Sequence, residues 1–369
     1  MGSLWPQAPR RWAVGIIGVI TAILALASMA GARVLVGPGS SPPVVARCDV
    51  RTLGTLGGLF GNAMAVNRHG VAVGIADDAH GVAQPVIWRE TTAERLTTGL
   101  ARSIPRAVNA PGQVVGTGVQ AGASSPSGWV WSQGRTTPLS VRDHRIARPE
   151  AINDRAVVVG ALSPDEGPSE EAEEPGEDEN DWAAMWPSPS SKPVVLSPLQ
   201  GDQGANAFAV DANGRIGGTS QGVTTRPVIW DRPDHPRALP TLGGGYGIVR
   251  ALGENGVAVG DAVRADGGYH AVLWDAAGRI TDLGLPAGAR SAKAEAILPN
   301  GVITGTAELP RADGWHTQAV QWTAPGAVQA LPSTTETGAA ANAAQALPVA
   351  GYRADGAGGR HPTLWRCGR

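Results

Sequence analysis

The side chains that could do chemistry are few, and their spacing favours recognition over catalysis. Asp77, Asp78 and His80 share one short stretch, and carboxylate with imidazole is a metal-ligand combination. The run lacks the glycine and the ligand spacing of a calcium loop, so no metal is expected there. No Gly-x-Ser-x-Gly nucleophile elbow, zinc-binding His-Glu-x-x-His pair or phosphate loop is read in the chain, and no cofactor is expected. The only cysteines are Cys48 and Cys367, and a pair that bridges supplies no nucleophile. What remains is a polar and aromatic series. Four residues before each of a set of repeated tryptophans stand Gln84, Ser127, Trp182, Arg226, His270, Gln318 and His361. Gathered at one end of a repeat array, they would form a recognition surface; the plainer expectation is that they are half-exposed and bond to neighbouring repeats. Tyr269 and Trp315 fall in the variable stretches between repeated segments. There an aromatic ring stacks on a sugar or peptide, or folds onto its own repeat.

Those residues need a framework, and the chain supplies one by repetition. Its aromatics are 12 Trp, 3 Tyr and 2 Phe, a bias expected when Trp fills a recurring structural position. Each unit has a segment such as Ala65-Val66-Asn67-Arg68-His69-Gly70-Val71-Ala72-Val73-Gly74, a variable stretch, and a short apolar run ending in Trp, as at Pro85-Val86-Ile87-Trp88. The closing tryptophans are Trp88, Trp131, Trp186, Trp230, Trp274, Trp322 and Trp365. A period of about 44 residues holds four short strands with their turns, the size of one propeller blade. The Asn-x-x-Gly element reads as a hairpin turn in which Gly takes positive φ. Length varies most between the glycine of the second strand and the Trp of the third, so those loops are the candidate binding face.

After each Trp comes one more strand-like piece, but the chain stops soon after Trp365. The missing strand is found at the start, around Val50–Leu56, and its return would close a ring without open edges. Cys48 and Cys367 would then meet at the seam. The predicted fold is all-β, a seven-bladed β-propeller over 47–369 closed by an N-terminal strand and preceded by one hydrophobic helix.

The segment His270-Ala271-Val272-Leu273-Trp274 resembles the signature of the extracellular HAF repeat family, named for its His-Ala-Phe tripeptide. Val272 stands where that family prefers Phe, and only His270 and His361 keep the His. The Ala-x-x-Asn-x-x-Gly-x-x-Val-Gly half is similar too, so the resemblance spans about 50–367. It implies an extracellular β-repeat protein and carries no catalytic residues and no established ligand.

Location follows from the N-terminus. Arg10 and Arg11 precede an uncharged run from Trp12 to Ala32. Residues 1–33 therefore read as a signal-anchor or, if cleaved near Ala27–Ala32, a signal peptide, with 34–46 as a Pro/Gly/Ser linker. An uncleaved helix would anchor the chain in the membrane with its bulk outside the cell; a cleaved one would release it. A net charge of −2 argues against nucleic acid as a partner. The stretch 164–181 is strongly acidic and is expected to be a solvated loop. The functional expectation is a monomeric, non-catalytic extracellular binding module for a glycan, peptide or protein. The alternatives are a surface scaffold, or a propeller hydrolase or lyase acting on extracellular glycan.

Overall fold

The computed structural model describes residues 46–143, 145–165, 181–311, 314–333, 339–341, 343–344, 348–355 and 359–367. The expected N-terminal helix, nearly all of the linker and most of the acidic stretch lie outside them. Among the described residues no helix is long and apolar enough to cross a membrane.

The chain is all-β, built from antiparallel sheets of four strands added in chain order. The first unit is Gly57–Val66, Ala72–Asp78, Ala83–Arg89 and Thr92–Arg95. The second is Arg102–Val108, Val114–Val119, Ser127–Ser132 and Arg135–Pro138. The third is Arg145–Ile152, Val158–Pro164, Trp182–Trp186 and Val194–Val195. Gly204–Val210, Ile216–Gln221, Thr225–Arg232 and His235–Ala238 form the fourth. Gly243–Leu252, Ala258–Arg264, Tyr269–Trp274 and Ile280–Asp282 form the fifth. The sixth is Ser291–Ile297, Ile303–Arg311, Gly314–Ala324 and Ala327–Ala330. In the last, Ala339–Ala341, Val349–Ala354 and Arg360–Cys367 take Cys48–Thr52 as their outer strand. The opening strand of each unit lies beside that of the next, and Ala343–Ala344 pairs in parallel with Ala65 and Val66 of the first. The opening strands thus make a closed inner circuit.

The repeated residues account for this regularity. Trp88, Trp186, Trp230, Trp274, Trp322 and Trp365 are fully buried, and each indole N–H donates to a carbonyl just after the outer strand of the preceding unit. Those acceptors are Gly54, Ser140, Ser197, Pro240, Gly284 and Pro332, at 2.7–3.1 Å. One tryptophan thereby buries a large apolar area between sheets and leaves no indole N–H unpaired. The second unit departs from this: Trp129, two residues before the expected Trp131, is the fully buried indole, and neither N–H finds a partner.

The glycine closing each Val-Val-Gly run answers a bulge. In the first six units the opening strand shifts register by one residue opposite that glycine, as between Ala207 and Ala209 facing Gly218. A Cβ on Gly218 would run into the carbonyl of Asn206, and Gly74, Gly116, Gly160, Gly260 and Gly305 meet the same obstacle. The seam closes as the sequence suggests. Cys48 faces Cys367 across an antiparallel pair and the two form a disulfide 319 residues apart in sequence. On a chain-entropy estimate it contributes about 3–5 kcal/mol.

Candidate functional site

Antiparallel order gives every unit two ends. At one lie the turns between first and second strands, at 67–71, 109–113, 153–157, 211–215, 253–257 and 298–302, all of equal length. At the other lie the loops between second and third strands and the connectors to the next unit, which vary. Large exposed apolar side chains segregate between these ends. Among the described residues Leu59, Val82, Val141, Val223, Tyr269 and Trp315 lie at the loop end, and only Val194, on an outer strand, lies elsewhere.

The series four before each tryptophan sits at the loop end of the third strands as expected, but its members do not converge. Most are tied within their own unit. Gln84 donates to Asp78 at 3.1 Å, and Gln318 donates to the carbonyls of Ala319 and Leu331. His270 meets Asp282 at 2.9 Å, and His361 meets Asp355 at 2.9 Å. Arg226 pairs with Asp202 of the preceding connector at 2.7 Å. These partners correct the expectation of bonds to neighbouring repeats. The two His–Asp pairs use third and outer or second strands, away from the inner circuit. Asp78 serves as a turn cap: its carboxylate accepts the N–H groups of His80 and Val82. Those bonds, led by Val82, hold its pKa below the ordinary range, while burial beside Asp78 raises that of Asp77.

The aromatics behave differently. Tyr269 packs edge-on against Tyr246 at 5.4 Å. Trp315, half-exposed, is stacked by the Arg290 guanidinium at 4.5 Å, and Arg290 bonds Glu308 at 2.9 Å, lowering the Glu308 pKa. Trp182 carries Arg145 at 3.7 Å over its ring and lines a cleft of about 240 Å³ between the third and fourth units.

Two features escaped the sequence reading. The first is the bulge residue of the opening strand in the first six units: Met64, Arg106, Glu150, Phe208, Arg250 and Glu295. All are half-buried on the inner circuit. Their signal was available, since each is the one freely varying residue in segments such as Pro105-Arg106-Ala107-Val108-Asn109 and Pro149-Glu150-Ala151-Ile152-Asn153. Arg250 bonds the fully buried Asp261 and lies 3.9 Å from Glu295 of the next unit. Burial opposes its charge, but Glu295 and Asp261 outweigh that and hold its pKa above the ordinary value. The second corrects the expectation that no Gly-x-Ser-x-Gly element is present: Gly218-Thr219-Ser220-Gln221-Gly222 has that spacing. It is no nucleophile elbow. Ser220 lies inside the strand Ile216–Gln221, fully buried, donating to Asp202 at 2.6 Å and accepting from the Leu199 N–H.

No family model matches the sequence, and no curated protein does. Solved structures with the same arrangement exist. An S511A mutant of puromycin hydrolase complexed with PGG superposes with a TM-score of 0.53 at 16% identity, over 80% of this chain and 50% of that one. An acylaminoacyl peptidase from Pyrococcus horikoshii gives 0.52 at 10% identity, over 85% and 53%. TolB from Acinetobacter baumannii gives 0.48 at 14% identity, over 76% and 65%. The chain therefore spans between half and two thirds of the length of these structures. The fold is of the β-propeller type.

Proposed function

We propose that this protein is an exported, non-catalytic binding module: a seven-bladed propeller of the HAF-repeat kind that presents its loop end to a ligand outside the cell. The observation that carries this reading is the segregation of large exposed apolar side chains to that end, with Tyr269 and Trp315 among them. Water-facing apolar groups gathered at one end of a rigid framework favour contact with a partner. The Cys48–Cys367 disulfide supports an oxidising location, and with Arg10-Arg11 and the apolar run after it supports export. His270 with Asp282, His361 with Asp355, Arg226 with Asp202 and Arg290 with Glu308 are paired at the loop end, which suits recognition better than proton transfer. The test is binding of the full chain to glycan and peptide arrays, compared with a Tyr269→Ala/Trp315→Ala variant. Binding that is lost in the variant at unchanged melting temperature supports the reading. Absence of binding, or binding indifferent to both substitutions, overturns it.

A further inference from the structure

At the junction between the fourth and fifth units, buried polar side chains gather without partners. Asn206, Thr219 and Gln221 are 5%, 0% and 2% exposed. Among the described residues, Asn206 Nδ2, Thr219 Oγ1 and both polar atoms of the Gln221 amide have no hydrogen-bond partner. Matching positions in other units are held. Ser163 accepts from Arg148, Glu308 from Arg290 and Ser291, and one oxygen of Asp261 from Arg250. Buried polar groups in folded chains are nearly always paired, so four together call for an occupant.

Strand register sets these side chains side by side. Asn206 stands opposite Thr219, and Gln221 follows two residues along the same strand, so all three share one face of the sheet. Gly204 stands opposite Gln221 and brings no side chain to cover it. That face is turned to the fifth unit. A Cβ on Gly217, which shares it, would meet the Val249 side chain, and Pro227, opposite Thr219, abuts Gly247. Toward the loop end the junction is closed by a parallel bridge between Thr225 and Tyr246.

The seventh and first units meet through the same kind of bridge, Arg360 with Phe60. There the positions of Asn206, Thr219 and Gln221 are taken by Ala340, Tyr352 and Ala354, and Arg360 lies over Tyr352 at 4.7 Å. A ring and a guanidinium pack that junction. In the fourth unit Thr225 stands where Arg360 does, so less side chain reaches the same space.

The chemistry of the four atoms narrows the occupant. None is charged, so an ion would give up its hydration without gaining a counter-charge. An apolar guest would leave all four unpaired. Water donates twice and accepts twice, and one buried molecule serves about three such groups. We propose that this junction is a hydration site, where about two ordered waters are held by Asn206, Thr219 and Gln221. Tyr246, against which the exposed Tyr269 packs, borders it. The site stands independently of the loop-end binding reading.

A high-resolution crystal structure and two variants test it. Solvent density is expected within about 3 Å of Asn206 Nδ2, Thr219 Oγ1 and the Gln221 amide. Thr219→Val keeps the side-chain shape and removes the hydroxyl. Where water pairs that hydroxyl, the variant should melt about 2–4 °C lower and lose the density beside residue 219. A dry junction predicts the reverse, because a methyl group then replaces an unpaired hydroxyl and the melting temperature holds or rises. Gln221→Leu should shift in the same direction as Thr219→Val, so the two melting comparisons decide the matter without crystals. The site is overturned by a junction without solvent density, by Asn206 and Gln221 turning to protein partners, or by either variant melting no lower than its parent.

Discussion

The turn end and the loop end of this molecule are made from the same strands and behave as opposites. At the turn end, Asn67, Asn109 and Asn153 each use the side-chain oxygen to cap their own turn. Each also gives its amide N–H to the next unit: Asn67 to the Asn109 carbonyl, Asn109 to that of Asn153, Asn153 to that of Asp211, at 2.8–3.0 Å. The fourth unit has Asp211, which cannot donate; Arg215 pairs with it and reaches the Val257 carbonyl instead. At the loop end the side chains bond mainly within their own unit, lengths vary, and aromatics stand in water. Order passed from unit to unit holds the ring, and independence of each unit leaves the other end free to specialise.

That contrast can be broken from the turn end first. Replacing Cys48 and Cys367 by Ser removes the seam disulfide and should cost about 3–5 kcal/mol, measured by denaturant unfolding with the intact protein as control. Asn109→Ala takes away three side-chain hydrogen bonds at a fully buried site and should cost about 2–3 kcal/mol. A loss below about half a kcal/mol would show that the ladder is decorative. The third unit sharpens the comparison from the same end. Ala156 holds φ 61° where five other units have Gly70, Gly112, Gly214, Gly256 and Gly301, so Ala156→Gly should raise stability by about 0.5 kcal/mol. The loop end should answer least: Tyr269→Ala and Trp315→Ala should each change stability by less than about 0.5 kcal/mol. Acid should act on that end through Glu308. The Glu308 pKa is lowered from 4.5, chiefly by its hydrogen bond from Arg290. The pair's contribution is therefore complete above 4.5 and disappears as pH falls through the lowered value. Trp315 emission, isolated by difference from Trp315→Phe, should report the release of Arg290 in that acid window and nowhere above it.

The framework was legible in the sequence because its signals are local and repeated. Trp at the end of an apolar run, Asn-x-x-Gly between two others, and cysteines at the two ends needed no partner to be recognised. The loop end was legible only as a place. Nothing in the spacing shows that His270 meets Asp282, that Arg290 lies over Trp315, or that Arg226 reaches a connector, because those contacts join segments of unrelated sequence. Trp129 was missed for a related reason: two tryptophans two residues apart share one face of a strand, and packing chose between them. Ser220 shows the opposite hazard, a motif whose spacing is right and whose strand setting makes it structural.

The strand Cys48–Thr52 has a consequence for the making of the protein. It is among the first described segments to be synthesised, yet its partner, Arg360–Cys367, comes at the far end of the chain. Until Arg360–Cys367 has been made this strand stays an unpaired edge, and the sheet it completes cannot form. Thiol oxidation at Cys48 and Cys367 thus waits for these two strands to pair, and the disulfide is a chemical record that the sheets between them have been assembled.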